Sequence, residues 1–131
     1  MAERRILIVE DEQVVADTLA QILAAHGYEV RVAYSAEEAI PILSDWSPNL
    51  ALLDVILPKM NGIDFALIVR KDKPRCGVLL VSGQPTVEQL LQKARDEGHS
   101  FDILAKPIHP TVILNTISNL LAAGPEPCPQ A

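Results

Sequence analysis

Three stretches of the chain are apolar without interruption: Ile6-Leu7-Ile8-Val9, Leu50-Ala51-Leu52-Leu53 and Val78-Leu79-Leu80-Val81. Two more are mixed: Val30-Arg31-Val32-Ala33-Tyr34, which alternates, and Phe101-Asp102-Ile103-Leu104-Ala105. Short runs of this kind, bounded by polar segments, read as strands. Between them, apolar residues recur at the spacing of a helix with one buried face. The first helical segment carries Val15, Leu19, Ile22 and Leu23 and stops at His26-Gly27, where glycine suits the residue just past a helix end. The second opens on Ser35-Ala36-Glu37-Glu38, a capping box in which Ser35 caps and Glu38 reaches back. Pro41 falls inside it and is expected to kink or shorten it. The third runs from about Gly62 to Lys71 with Phe65, Ile68 and Val69 inward. The fourth carries Val87, Leu90, Leu91 and Ala94 and ends near Gly98, and the last carries Ile113, Ile117, Leu120 and Leu121.

Strand followed by helix, five times over, predicts an α/β fold: a parallel sheet with helices on both faces. A strand covered on both faces is apolar throughout, whereas an edge strand tolerates polar positions. Strands two and five are therefore the edges, and one, three and four lie inside. The flavodoxin-like order 2-1-3-4-5 of a doubly wound five-stranded sheet satisfies this. The pattern alone leaves the order of the three central strands open.

Composition narrows the class. The chain has 131 residues, 49% of them apolar and 21% charged, which is one domain's worth of an ordinary globular protein. We assign residues 1–123 to that domain. Residues 124–131, with three prolines, are expected to be a disordered tail or the stub of a linker. No apolar run approaches the roughly 20 residues that cross a bilayer. The run at Ile6 is too short for a signal-peptide core and leads into acids, so neither a membrane span nor a leader is expected. A formal net charge of −6 repels phosphate backbones and argues against nucleic-acid binding by this chain alone. Cys76 and Cys128 form no CxxC pair, which fits a reducing cytoplasm without disulfides or a zinc site. His26, His99 and His109 belong to no metal-spacing motif and are expected at the surface.

In an open parallel sheet, ligands bind beyond the carboxyl ends of the strands where the strand order reverses. Strand one ends in Glu10-Asp11-Glu12, strand three in Asp54, strand four in Ser82 and strand five in Lys106-Pro107. Taken singly these are commonplace: a cap, a helix-dipole partner, a turn residue, a solvated lysine. Jointly they put carboxylates, a hydroxyl and an ammonium on one rim. Clustered carboxylates repel one another unless a cation intervenes, and Mg²⁺ favours such oxygen ligands while keeping several waters. A carboxylate can act as a phosphoryl acceptor, and phosphoryl transfer needs mainly positioning and charge neutralisation. Asp54 is the candidate nucleophile, Lys106 the candidate counter-charge and Ser82 the candidate donor to a phosphoryl oxygen.

These residues resemble the response-regulator receiver family over roughly residues 5 to 122. The resemblance rests on Ile6-Leu7-Ile8-Val9-Glu10-Asp11-Glu12, Leu52-Leu53-Asp54-Val55-Ile56-Leu57-Pro58-Lys59-Met60-Asn61-Gly62, Ser82-Gly83 and Lys106-Pro107. It implies a Mg²⁺ (or Mn²⁺) site at Glu10, Asp11, Asp54 and the Ile56 carbonyl, phosphorylation at Asp54, a switch hydroxyl at Ser82 and a phosphate-pairing Lys106. It also implies a cis Lys106-Pro107 bond. Where the family often places an aromatic, three residues before the lysine, this chain has Ile103, so an aromatic flip is impossible. Ile56 and Gln84 stand where the family tunes hydrolysis of the acyl phosphate; Ile56 cannot orient a water, whereas Gln84 can.

The expected function is thus a phosphoacceptor module of a two-component or phosphorelay system, not a turnover enzyme. Its expected partners are a histidine kinase or histidine phosphotransfer protein, reached through the first helix, and a downstream protein. The last two helical segments and the last strand form the expected output face. A single-domain, cytoplasmic monomer or weak dimer is expected. An aspartyl phosphatase on this fold would want a second aspartate at position 56. A nucleotide enzyme would want GxGxxG or GxxxxGK[ST] after strand one, and neither is present. A pure interaction module that never becomes phosphorylated is disfavoured by the complete acidic set.

Overall fold

The computed structural model describes residues 5–55, 57, 60–73, 75–82, 102–105 and 109–122. In chain order the elements are β1 (Arg5–Val9), α1 (Gln13–Ala25), β2 (Glu29–Ala33), α2 (Ala36–Asp45), β3 (Leu50–Asp54), α3 (Gly62–Asp72), β4 (Gly77–Ser82), β5 (Asp102–Ala105) and α4 (Pro110–Ala122). The expected helix around residues 87–98, the tail at 124–131, and Ile56, Gln84, His99, Lys106 and Pro107 lie outside the described residues.

The five strands pair in parallel in the order β2-β1-β3-β4-β5. This settles the order of the central three. Side chains alternate across the sheet, so each central strand serves two cores at once. Ile6, Ile8, Leu50, Leu52, Leu79 and Val81 face α1 and α4, where Ala16, Leu23, Ile113 and Ile117 meet them. Leu7, Val9, Ala51, Leu53, Val78 and Leu80 face α2 and α3, against Ala39, Leu43, Phe65 and Val69. Each fully buried Leu or Ile contributes roughly 1.5–3 kcal/mol. Double-sided burial is why these three strands read as unbroken apolar runs. On the edge strand β2, Glu29 and Arg31 are exposed and only Ala33 is fully buried, which explains its alternation.

Local chemistry sets the helix ends. α1 stops in a Schellman motif: the Gly27 N–H donates to the Ala24 carbonyl at 3.1 Å and the Tyr28 N–H to the Leu23 carbonyl at 3.2 Å. Gly27 takes φ 93°, which suits glycine. Ser35 caps α2 as expected, its Oγ accepting from the Glu38 N–H at 3.1 Å. The return bond differs by one residue, since Glu38 Oε1 accepts from the Tyr34 N–H at 3.0 Å and so serves the position before the cap. Asn61 caps α3 through Oδ1, which accepts from the Asp64 N–H at 2.8 Å. Pro41 does not end α2, which continues four residues further to Asp45. The proline is exposed, so its ring meets solvent and not the sheet.

Candidate functional site

The carboxyl ends of β1 and β3, neighbours at the point where the strand order reverses, carry the acidic residues. Glu10 directly follows β1. Its N–H donates to the Ala33 carbonyl at 3.1 Å, extending the pairing of β1 with β2 by one rung. Its side chain is only 2% exposed, and Oε2 accepts from the Glu12 N–H at 3.1 Å. Asp11 follows on the exposed rim. Asp54 ends β3 opposite Val81 of β4 and is 6% exposed. One carboxylate oxygen from each of Glu10, Asp11 and Asp54 lies within 4.8 Å of the others.

Ser82 is the next residue after Val81, 5% exposed, and pairs in register with Ala105 of β5. The hydroxyl-bearing residue therefore ends the strand beside Asp54. Lys106 follows Ala105 directly in sequence but lies outside the described residues, as does Ile56. Ile103 is half-buried and packs against the core on the α2 and α3 face.

A backbone contact shapes the floor of this rim. The Gly62 N–H donates to the Val55 carbonyl at 2.6 Å, and the Val55 N–H to the Val81 carbonyl at 3.0 Å. A Cβ on Gly62 would run into the Asp54 carbonyl and come within 2.8 Å of the Val55 Cα. Glycine is what lets α3 begin this close to the end of β3. The motif shows that glycine, but the reason for it emerges only from the packing. The Glu12 N–H on Glu10 and the Ala33 carbonyl beneath it also carry no sequence signal, because backbone groups supply them. Just past β2, the Tyr34 hydroxyl donates to Asp17 Oδ1 of α1 at 2.8 Å, and that bond holds its phenol above the ordinary value of 10.0.

Glu10 and Asp54 are buried like charges. At an effective dielectric near 20, two unit charges this close repel by roughly 3 kcal/mol. A divalent cation relieves that repulsion, and an all-oxygen donor set of hard carboxylates is the chemistry Mg²⁺ prefers. The three residues fit such an ion, and the cluster could hold one.

Comparison with known proteins agrees with this geometry. The family model for the response regulator receiver domain matches residues 6–118. The chain is 33% identical over 107 residues to the DNA-binding response regulator MtrA of Mycobacterium tuberculosis, covering 82% of this chain and 46% of that protein. It is 34% identical over 122 residues to the aerobic respiration control protein ArcA of Escherichia coli, covering 93% of this chain and 50% of that one. The chain thus spans about half the length of these relatives. Among solved structures, a CheY-like receiver domain protein from Methanospirillum hungatei superposes with a TM-score of 0.80 at 29% identity, covering 94% of this chain and all of that one. The receiver domain of a Syntrophus aciditrophicus signal transduction histidine kinase gives a TM-score of 0.81 at 26% identity, covering 98% of each. A five-stranded parallel sheet of the receiver-domain kind is the architecture this chain shares with those two structures. This chain belongs to the response regulator receiver domain family of two-component signalling.

Proposed function

We propose that this receiver domain accepts a phosphoryl group from the phosphohistidine of a histidine kinase, or of a histidine phosphotransfer protein, onto Asp54. The convergence of Glu10, Asp11 and Asp54 carboxylate oxygens within 4.8 Å carries the reading. A carboxylate oxygen of Asp54 attacks phosphorus as the nitrogen–phosphorus bond breaks. The donor imidazole departs with the bonding electron pair. Glu10, Asp11 and Asp54 would hold Mg²⁺ (or Mn²⁺), with the Ile56 carbonyl as a further ligand. That ion, when bound, neutralises charge on the phosphoryl oxygens and on the acids. The Glu12 N–H, donating to Glu10 Oε2, helps orient that carboxylate. Ser82 donates its hydroxyl to a phosphoryl oxygen once the group arrives. Lys106 pairs with the phosphoryl charge from the end of β5, a placement supported by the register of Ala105 with Ser82.

The chain acts once per phosphorylation cycle and is not a turnover enzyme. Although MtrA is a DNA-binding regulator, a net charge of −6 favours protein partners over nucleic acid for this domain itself. The domain works in the cytoplasm as a monomer or weak dimer. Phosphorylation remodels the face made by β5, α4 and the chain between β4 and β5, and Ile103 excludes an aromatic flip as the means.

The test is intact mass after incubation with acetyl phosphate and Mg²⁺. One phosphoryl adduct should form, disappear with chelator and be absent in Asp54→Ala. A persistent lack of adduct, or one that survives Asp54→Ala, overturns the proposal. Amide exchange with and without beryllofluoride should change within residues 83–122; no change there removes the output face.

A further inference from the structure

α2 is secured at one end and compromised at the other. Its first turn is held by Ser35 Oγ and by Glu38 Oε1. Beyond that turn, Pro41 has no N–H, so one rung of the helical ladder is lost, and its ring crowds the turn before it. Trp46, at the C-cap, is 7% exposed, yet its indole Nε1 meets no acceptor among the described residues. A buried donor without a partner favours any conformation in which it reaches water. The Trp46 backbone N–H does close the helix on the Ile42 carbonyl at 2.9 Å, a bond that favours the closed form.

Two contacts hold the indole down. Its ring packs into the α2 and α3 core beside Leu43. On its other side the Arg31 guanidinium, from the exposed strand β2, lies 4.7 Å from the ring centroid. Such a cation–π contact stabilises the closed form without touching the indole nitrogen. The segment also has a firm boundary downstream. Asn49 is tied to Arg5 by bonds of 2.8 and 2.9 Å, and its carbonyl accepts from the Gly77 N–H at 2.9 Å. Between Glu38 and Asn49, the side-chain bond seen among the described residues is the exposed pair of Lys73 Nζ with Ser47 Oγ at 3.1 Å.

We propose that residues 41–48 are a locally opening segment, in which the C-terminal half of α2 and Trp46 leave the sheet as a unit and Arg31 is the latch. In the open form the indole N–H is hydrated and Leu43, 4% exposed when closed, is uncovered. α2 runs back from the end of β2 to the start of β3, so the segment lies at the end of the sheet away from the carboxylates. Opening leaves the acidic pocket in place. The inference does not depend on phosphorylation.

Hydrogen exchange of the whole chain tests it. Amides of residues 43–46 should exchange on the order of tenfold faster than those in the middle of α1, by a route insensitive to low denaturant. Pro41→Ala should slow them several-fold and Arg31→Ala should speed them, with α1 unchanged in both. Trp46 is the only tryptophan, so acrylamide quenching gives a second readout: lower in Pro41→Ala, higher in Arg31→Ala. Equal exchange in the two helices, parallel changes in both, or quenching alike in all three proteins overturns the proposal.

Discussion

At the start of the strands, Asn49 receives the Arg5 N–H on Oδ1, gives its own N–H to the Arg5 carbonyl and takes the Gly77 N–H on its carbonyl. Three polar interactions close there among β1, β3 and β4. At the other end of β1 and β3, Glu10, Asp11 and Asp54 bring like charges together, two of them buried. The first arrangement completes itself. The second gathers carboxylates that could hold a metal ion. Polar groups at the first end satisfy one another, whereas those at the second are crowded with like charge.

That contrast can be broken by substitution. The largest effect expected is all-or-none: Asp54→Ala abolishes the acetyl phosphate adduct while the circular dichroism spectrum stays that of the wild type. Gly62→Ala should cost roughly 3 kcal/mol in urea unfolding, because its Cβ has backbone, not a yielding side chain, in its way. Asn49→Ala should cost about 1 kcal/mol by the same measurement, the penalty for the part-buried Arg5 N–H that loses Oδ1 as its acceptor, while the two backbone bonds of residue 49 remain. Asp54→Asn should do the reverse without divalent ions, raising stability by about 1 kcal/mol through relief of repulsion. Added Mg²⁺ should then stabilise the wild type and not the variant. A loss of stability in Asp54→Asn would erase the distinction between the two ends.

The smallest effect concerns pH. Burial pushes the Cys76 thiol up to about 12 from 9.0, partly offset by Lys73. The folded state thus holds that proton more tightly than the unfolded chain does. Its contribution is complete below pH 9 and is lost as pH rises from 9 to 12. Cys76→Ala should show a shallower fall in thermal midpoint over the accessible part of that window.

Much of this was readable from the chain itself, for definite reasons. β1, β3 and β4 are covered on both faces, and that leaves an unbroken apolar run. β2 has water on one side and alternates. Glu10, Asp11, Asp54 and Ser82 were legible because the ends of such strands are fixed once the strands are known. Other features depend on which backbone atoms come together. Glu38 reaches Tyr34 and not Ser35, the Glu12 N–H orients Glu10, and Gly62 sits under the Asp54 carbonyl. None of these follows from residue type. Pro41 announces a lost rung but not where α2 stops, because the helix runs on to Asp45, and the buried indole of Trp46 has no pattern to announce it.

α1 has an unusual beginning. Glu12, its first boundary residue, contributes no side-chain bond to the helix, and the Glu12 N–H is taken up by the Glu10 carboxylate. A single carboxylate therefore belongs to two structures, the pocket and the start of the helix that flanks it. Any ligand that draws Glu10 towards itself also pulls on the peptide from which α1 departs.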